Sequence, residues 1–224
     1  PVRVIGASRT DAGVHALGNV AVFDTQARMG ADKFAYALNQ RLPEDIRIRA
    51  SREVPSDFHP RKTDSVKTYE YHILNEEFPN PVERLYSHFC YVPLDEGRMQ
   101  RAAEYLTGEH DFQSFCSAGA QVESTVRTIY DCSVRREGTK LTIRIQGNGF
   151  LYNMVRIIAG TLMEAGRGKY PPETVRDILE AGDRRLAGPT APARGLILVS
   201  YEFPALEESH PESVPEGPGR EDRS

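Results

Sequence analysis

The chain has 224 residues, which leaves room for one large domain or two small ones around a sizeable core. Its 39% hydrophobic and 27% charged residues fit a soluble globular protein. No apolar run approaches the length of a membrane span, and no secretory leader pattern stands at the start. The net charge of −4 belongs to the tail, where Glu207, Glu208, Glu212, Glu216, Glu221 and Asp222 outweigh Arg220 and Arg223 and leave the body neutral.

The first residues, Pro1-Val2-Arg3-Val4-Ile5-Gly6, read as a strand already under way, and the chain is expected to lack an N-terminal piece. Strands are predicted over Val2–Ala7 and Val20–Thr25, with a loop between them. Phe34, Leu38 and Leu42 recur at helical spacing and predict a helix over Ala31–Arg41, ended by Leu42-Pro43-Glu44-Asp45. Ile46, Ile48 and Ala50 alternate with Arg47, Arg49 and Ser51, the pattern of a half-buried strand over Ile46–Val54. Asp57–Arg61 is a loop and a candidate crossing between domains.

Val66–Leu74 predicts a strand with Tyr69, Tyr71 and Ile73 on one face. A helix over Glu96–Leu106 buries Met99, Ala102, Ala103 and Leu106. Thr125–Arg135 and Lys140–Gln146 form a hairpin across Arg136-Glu137-Gly138-Thr139. Leu151–Ala165 is the strongest helix, Glu173–Ala181 a shorter one that Gly182 can end, and Leu196–Phe203 the last strand. The segment 205–224, rich in Pro, Glu, Ser and Gly, is expected to be disordered. Hairpins and helices without strict alternation imply an α+β architecture on an antiparallel sheet. The expected division is 1–60, 61–204 and the acidic tail.

Few residues here carry obvious chemistry. The six histidines, His15, His59, His72, His88, His110 and His210, lack metal-ligand spacing. His110-Asp111 reads as a structural turn. Gly166-Arg167-Gly168-Lys169 lacks the spacing of a phosphate loop. Cys90, Cys116 and Cys132, odd in number and far apart, fit reduced cytosolic thiols better than a disulfide framework. Arg47, Arg49, Arg52, Arg61, Lys62 and Lys67 cluster; such a stretch holds an anionic polymer or guards a strand edge, and both readings stand.

Two features go further. Ser8-Arg9-Thr10-Asp11-Ala12-Gly13-Val14-His15-Ala16 presents an acid beside an arginine and a glycine in a loop between strands. Alone, that aspartate is a turn former; loops on a rigid sheet are also where catalytic groups sit. On the 151–165 helix, Leu151, Val155, Ile158 and Leu162 form one stripe, with Asn153, Arg156 and Gly160 opposite. A glycine beside an arginine on that side costs helix propensity and implies close packing there. Tyr69 and Tyr71 are core residues or a flat aromatic surface for an unstacked base.

With these residues in hand, the chain resembles the tRNA pseudouridine synthase A family. The match lies in Arg9–Ala16, in Lys67-Thr68-Tyr69-Glu70-Tyr71, in Gly149–Arg156 continuing through Gly160-Thr161-Leu162, and in Ala191-Pro192-Ala193-Arg194-Gly195-Leu196; His110–Phe115 adds to it. It runs in order from residue 1 to about 203. The resemblance implies a pseudouridine synthase fold, with two similar ferredoxin-like halves around a central cleft. It implies isomerisation of uridine to pseudouridine at positions 38, 39 and 40 of the tRNA anticodon stem-loop, without cofactor or metal, by a cytoplasmic homodimer. Asp11 would be the essential carboxylate, acting on ribose C1′ or on the base. Arg9 would hold the displaced nucleotide and Tyr69 would stack on the target base. Arg156 would pair with Asp11, keeping it ionised and oriented, and Gly195-Leu196 would line the pocket. The family starts with a further strand and helix, a Tyr-Asp-Gly segment and a tryptophan, none of which this chain contains.

Two other classes are open to the same residues. A non-catalytic RNA-binding module would keep the bases and tyrosines without needing Asp11 and Arg156 together. A nucleoside or glycoside hydrolase would want a second positioned acid, and the sequence offers no convincing one.

Overall fold

The structure, a computed structural model, describes residues 2–119 and 122–207. The chain divides into two compact units, Pro1–Ala27 with His59–Glu202 and Arg28–Phe58 with Phe203–Ser224. One crossing lies between 58 and 59. Another, between 27 and 28, groups residues 1–27 with the larger unit.

The larger unit is built on strands. Antiparallel β1 (Val4–Gly6) and β3 (Ala21–Phe23) form a two-stranded ribbon, with β2 (His15–Ala16) in the loop between them. In the smaller unit, a 3₁₀ turn over Ala31–Lys33 runs into α1 (Phe34–Asn39). The larger unit continues with β4 (Val66–Leu74), β5 (His88–Phe89), α2 (Glu96–Glu104), β6 (Gly108–Asp111), β7 (Val126–Glu137) and β8 (Lys140–Gly147). It ends with α3 (Met154–Gly166), α4 (Thr174–Ala181) and β9 (Leu196–Glu202); α5 (Pro204–Glu207) belongs to the smaller unit. One seven-stranded sheet runs in the order β2-β9-β4-β8-β7-β6, with β5 beside the end of β4. Its ladders are antiparallel except for β2 on β9 and β5 on β4. The α+β class expected from the sequence is the one observed.

The expected strand over Ile46–Val54 is a correction: no ladder forms over it among the described residues. A side chain takes up the backbone groups of Ile48 instead, and Ser51 turns its own side chain to the backbone around the start of α1. Asn39 donates to Ile48 O and accepts from Ile48 N, both at 2.8 Å. Ser51 Oγ donates to Ala31 O at 2.7 Å and accepts from Ala35 N at 2.9 Å. Local side-chain bonds of this kind compete with a ladder. Of the tail expected to be disordered, residues 205–207 belong to the helix Pro204–Glu207, and the rest lies outside the described residues.

The hairpin turn is tighter than its sequence suggested. Glu137 pairs with Lys140, leaving a two-residue turn in which Gly138 has φ 60°. His110-Asp111 lies on β6, where His110 Nε2 bonds Thr107 O and Asp111 Oδ1 accepts from Gln113 N, structural bonds rather than a dyad.

The core lies between the sheet and α2, α3 and α4. Tyr71, Ile73, Leu141, Ile143 and Ile145 of the strands are buried there, as are Met99, Ala102 and Ala103 of α2. In α3 every residue but Arg156 is buried. The polar side of this helix is covered by a strap, residues 184–192. Thr161 Oγ1 accepts from Gly188 N at 2.9 Å, and Arg184 donates to Gly188 O and Thr190 Oγ1 at 3.0 and 3.1 Å. A Cβ on Gly160 would lie 1.8 Å from Pro189 O.

Gly160→Ala is therefore expected to destabilise. The helix-propensity gain of about 1 kcal/mol is outweighed by overpacking, which costs about 1–3 kcal/mol or more, and urea unfolding reads the difference. A second expectation concerns pH. Burial, reinforced by Arg194 and Arg167, lowers the His88 pKa from 6.5 to about 4. Its Nδ1 has no hydrogen-bond partner among the described residues. Between those pH values the unfolded chain binds more protons, so stability falls as pH drops through that window. His88→Gln should flatten this dependence in urea titrations run at several pH values.

Candidate active site

Asp11 sits in a turn closed by Val14 N donating to Asp11 O at 3.0 Å, with Gly13 at φ 84°. Both ends of the loop are tied to sheets. Ala7 N donates to Val20 O beside the β1–β3 ribbon, and His15 pairs with Ile197 where β2 joins β9. His15 also bonds Leu85 O through Nε2 at 2.7 Å and packs against the Tyr86 ring. The loop is thus held on both sides, which limits where its acid can point.

Arg156 lies in the first turn of α3, 145 residues away in sequence. Its Nη1 donates to Asp11 Oδ2 at 2.8 Å and to Asn153 Oδ1 at 2.9 Å, and its Nε donates to Ala191 O at 2.7 Å. Ala191 N returns a bond to Arg156 O. The strap that covers the glycine of this helix face therefore also supplies an acceptor for the arginine. The Arg156 side chain keeps 17% of its exposure and that of Asp11 35%. A charge-assisted bond in such a partly dry place fixes geometry more than a surface pair would.

Asp11, Arg156, Arg9, Tyr69 and Leu196 all line one cleft of about 170 Å³. Arg9 is exposed at its mouth, while Leu196 and Tyr69 are buried in its wall. Tyr69 is 8% exposed and meets the Phe150 ring edge to face, centroids 5.2 Å apart. A bulge between Thr68 and Tyr69 in the pairing of β4 with β9 lies at this point of the strand, a common device near sites for re-aiming a side chain. Burial raises the Tyr69 phenol to about 12, against a hydrogen bond with Ser8 that pulls it down. Its contribution is a neutral ring and hydroxyl. Gly195 packs under Tyr71 instead of facing the cleft: a Cβ there would lie 2.8 Å from the Tyr71 ring.

Ser8, Phe150, Tyr152 and Asn153, which also line the cleft, carry no role in the sequence reading, and Lys67 enters it only as part of the basic stretch. All five lie in segments already singled out, Ser8 at the head of the Ser8–Ala16 loop, so their signal was position within a motif, not residue type. Among the described residues that line the cleft, Asp11 is the only acid, and no histidine or cysteine joins it. Among the described residues no three His, Cys, Asp or Glu side chains gather as a metal cluster, and no helix is long and apolar enough to cross a membrane.

The family model for tRNA pseudouridine synthase matches residues 1–61 and 102–204. A protein of Brevibacillus brevis named tRNA pseudouridine synthase A is 50% identical, over 88% of this chain and 81% of its own length. Proteins of the same name from Acetivibrio thermocellus and Halalkalibacterium halodurans are 50% and 49% identical, covering 90% and 88% of this chain and 83% and 74% of their own lengths. With the family model covering most of the chain and relatives about half identical over most of their length, the chain belongs to the tRNA pseudouridine synthase family.

Proposed function

We propose that the protein converts uridine to pseudouridine in tRNA, with the anticodon stem-loop positions 38, 39 and 40 as its targets. The observation that carries this reading is the lining of the cleft: one carboxylate, paired to a guanidinium, beside an aromatic wall. The isomerisation breaks N1–C1′, turns the base and makes C5–C1′. The C5 proton is lost as N1 gains one, so nothing is consumed and no cofactor is called for. One carboxylate acting at C1′ or on the base suffices, whereas glycoside hydrolysis uses two. The cleft is small against the roughly 300–1,000 Å³ of pockets for drug-sized ligands, a size suited to a single base. A base inside a stem must be flipped out to reach it, at a cost of a few kcal/mol. Tyr69 then offers the flipped ring a stacking face and Leu196 an apolar wall. Arg9 at the mouth meets the phosphate or ribose, and Arg156 holds Asp11 in one orientation.

The reading extends to a cytoplasmic homodimer, with residues 1–60 as part of an N-terminal domain and 61–204 as the C-terminal one. Its supports are the family likeness and the three free cysteines. Light scattering on the purified chain reads the dimer directly.

Incubation of the full chain with unmodified tRNA is expected to yield pseudouridine and no free uracil. Free uracil would point to a hydrolase, and binding without product to a passive RNA module. Asp11→Asn should abolish turnover while leaving tRNA affinity within a few-fold; full isomerase activity in this variant would overturn the assignment of Asp11. Arg156→Lys should lower kcat by about tenfold or more, because an ammonium cannot reproduce the planar fork that serves three acceptors.

A further inference from the structure

Asn153 departs from local expectation twice. At φ 60° and ψ 7° it is the only non-glycine residue with positive φ among the described residues. It also stands at the N-cap of α3, where an asparagine normally accepts from the first backbone N–H groups, yet its side chain makes no capping bond. The amide is used elsewhere. Oδ1 accepts from Arg156 Nη1 at 2.9 Å, and Nδ2 donates to Ser117 Oγ at 3.0 Å. Ser117 N in turn donates to Tyr152 O at 3.1 Å, so the segment at Ser117 and the turn before α3 are latched by two bonds. A glycine would satisfy the left-handed backbone more easily. What glycine lacks is the amide.

The two acceptors at Nη1, Asp11 and Asn153, together with Ala191 O at Nε, set the plane of the Arg156 guanidinium. We propose that Asn153 is a positioning residue: its left-handed backbone aims an amide at Arg156, and through Arg156 it holds the Asp11 carboxylate in the orientation the isomerisation uses. A strained conformation kept at a site, with its side chain committed to that site, is the pattern expected of such a device. The inference rests on the reading of Asp11 and Arg156 given above.

Asn153→Gly tests it, since glycine accepts the backbone and removes only the amide. Two measurements are made on the full chain. The first is steady-state turnover of unmodified tRNA. Here kcat should fall between about tenfold and a hundredfold, with KM for tRNA within about twofold and the melting temperature unchanged. The second is ¹⁵N NMR of the Arg156 side chain without tRNA, where rotation of the guanidinium should become faster. A merely structural role would move the melting temperature and leave this rotation alone. Parental kcat in Asn153→Gly, or a lower kcat with an unmoved Arg156 signal, overturns the inference. Absence of product from the unaltered chain instead sinks the functional reading, while the NMR comparison still decides whether Asn153 orders Arg156. Should Asn153→Gly fail to fold, Ser117→Ala frees the far end of the amide and is read by the same two measurements.

Discussion

A guanidinium taken largely out of water must find acceptors for its fixed fork of donors, because an unpaired buried charge is costly. Arg156 finds three, from three separate parts of the chain: the turn before its helix, the strap after α4 and the Asp11 loop. That requirement draws the site together. The helix supplying the arginine is buried on every other side, so the guanidinium has little freedom to search for other partners. The carboxylate it holds lies in a loop pinned between a ribbon and the edge of the main sheet.

Close backbone packing makes this arrangement possible. The strap can reach Arg156 only because its own Gly188 and the helix's Gly160 leave no side chain between the two backbones; a Cβ on Gly188 would come within 2.6 Å of Thr161 N. The helix forgoes the better propensity of alanine at Gly160 and receives in exchange a backbone acceptor at Ala191. Tyr71, on the core side of β4, bonds Pro192 O at 2.9 Å and ties the strap to the sheet that carries Tyr69. Packing, strap and site are thus one connected system.

Much of this was legible in the sequence for definite reasons. Val66–Leu74 and Glu96–Glu104 show strong periodicity, and their predicted buried residues are buried. Gly160 on the polar side of α3 signalled a close neighbour, though not that residues 187–192 would be it. α3 starts three residues after the expected Leu151, because the apolar stripe includes Leu151 while the left-handed Asn153 ends the preceding turn. The strand expected at Ile46–Val54 failed because alternation reports one covered face but says nothing about whether a partner strand is present. Two-residue strands such as β2 and β5 leave no periodicity to read; they exist only through the strands beside them.

The sequence by itself determined the residue types of the site, the α+β class and the family, since motifs and periodic patterns are properties of neighbouring positions. Only the tertiary structure decided that Asp11 and Arg156 meet at 2.8 Å, that the polar face of α3 is covered, and that Asn153 turns its amide toward the arginine and away from its own helix. Those facts depend on contacts between residues far apart in the chain. Such contacts are set by packing and by the cost of leaving buried polar groups unpaired, which no local pattern records.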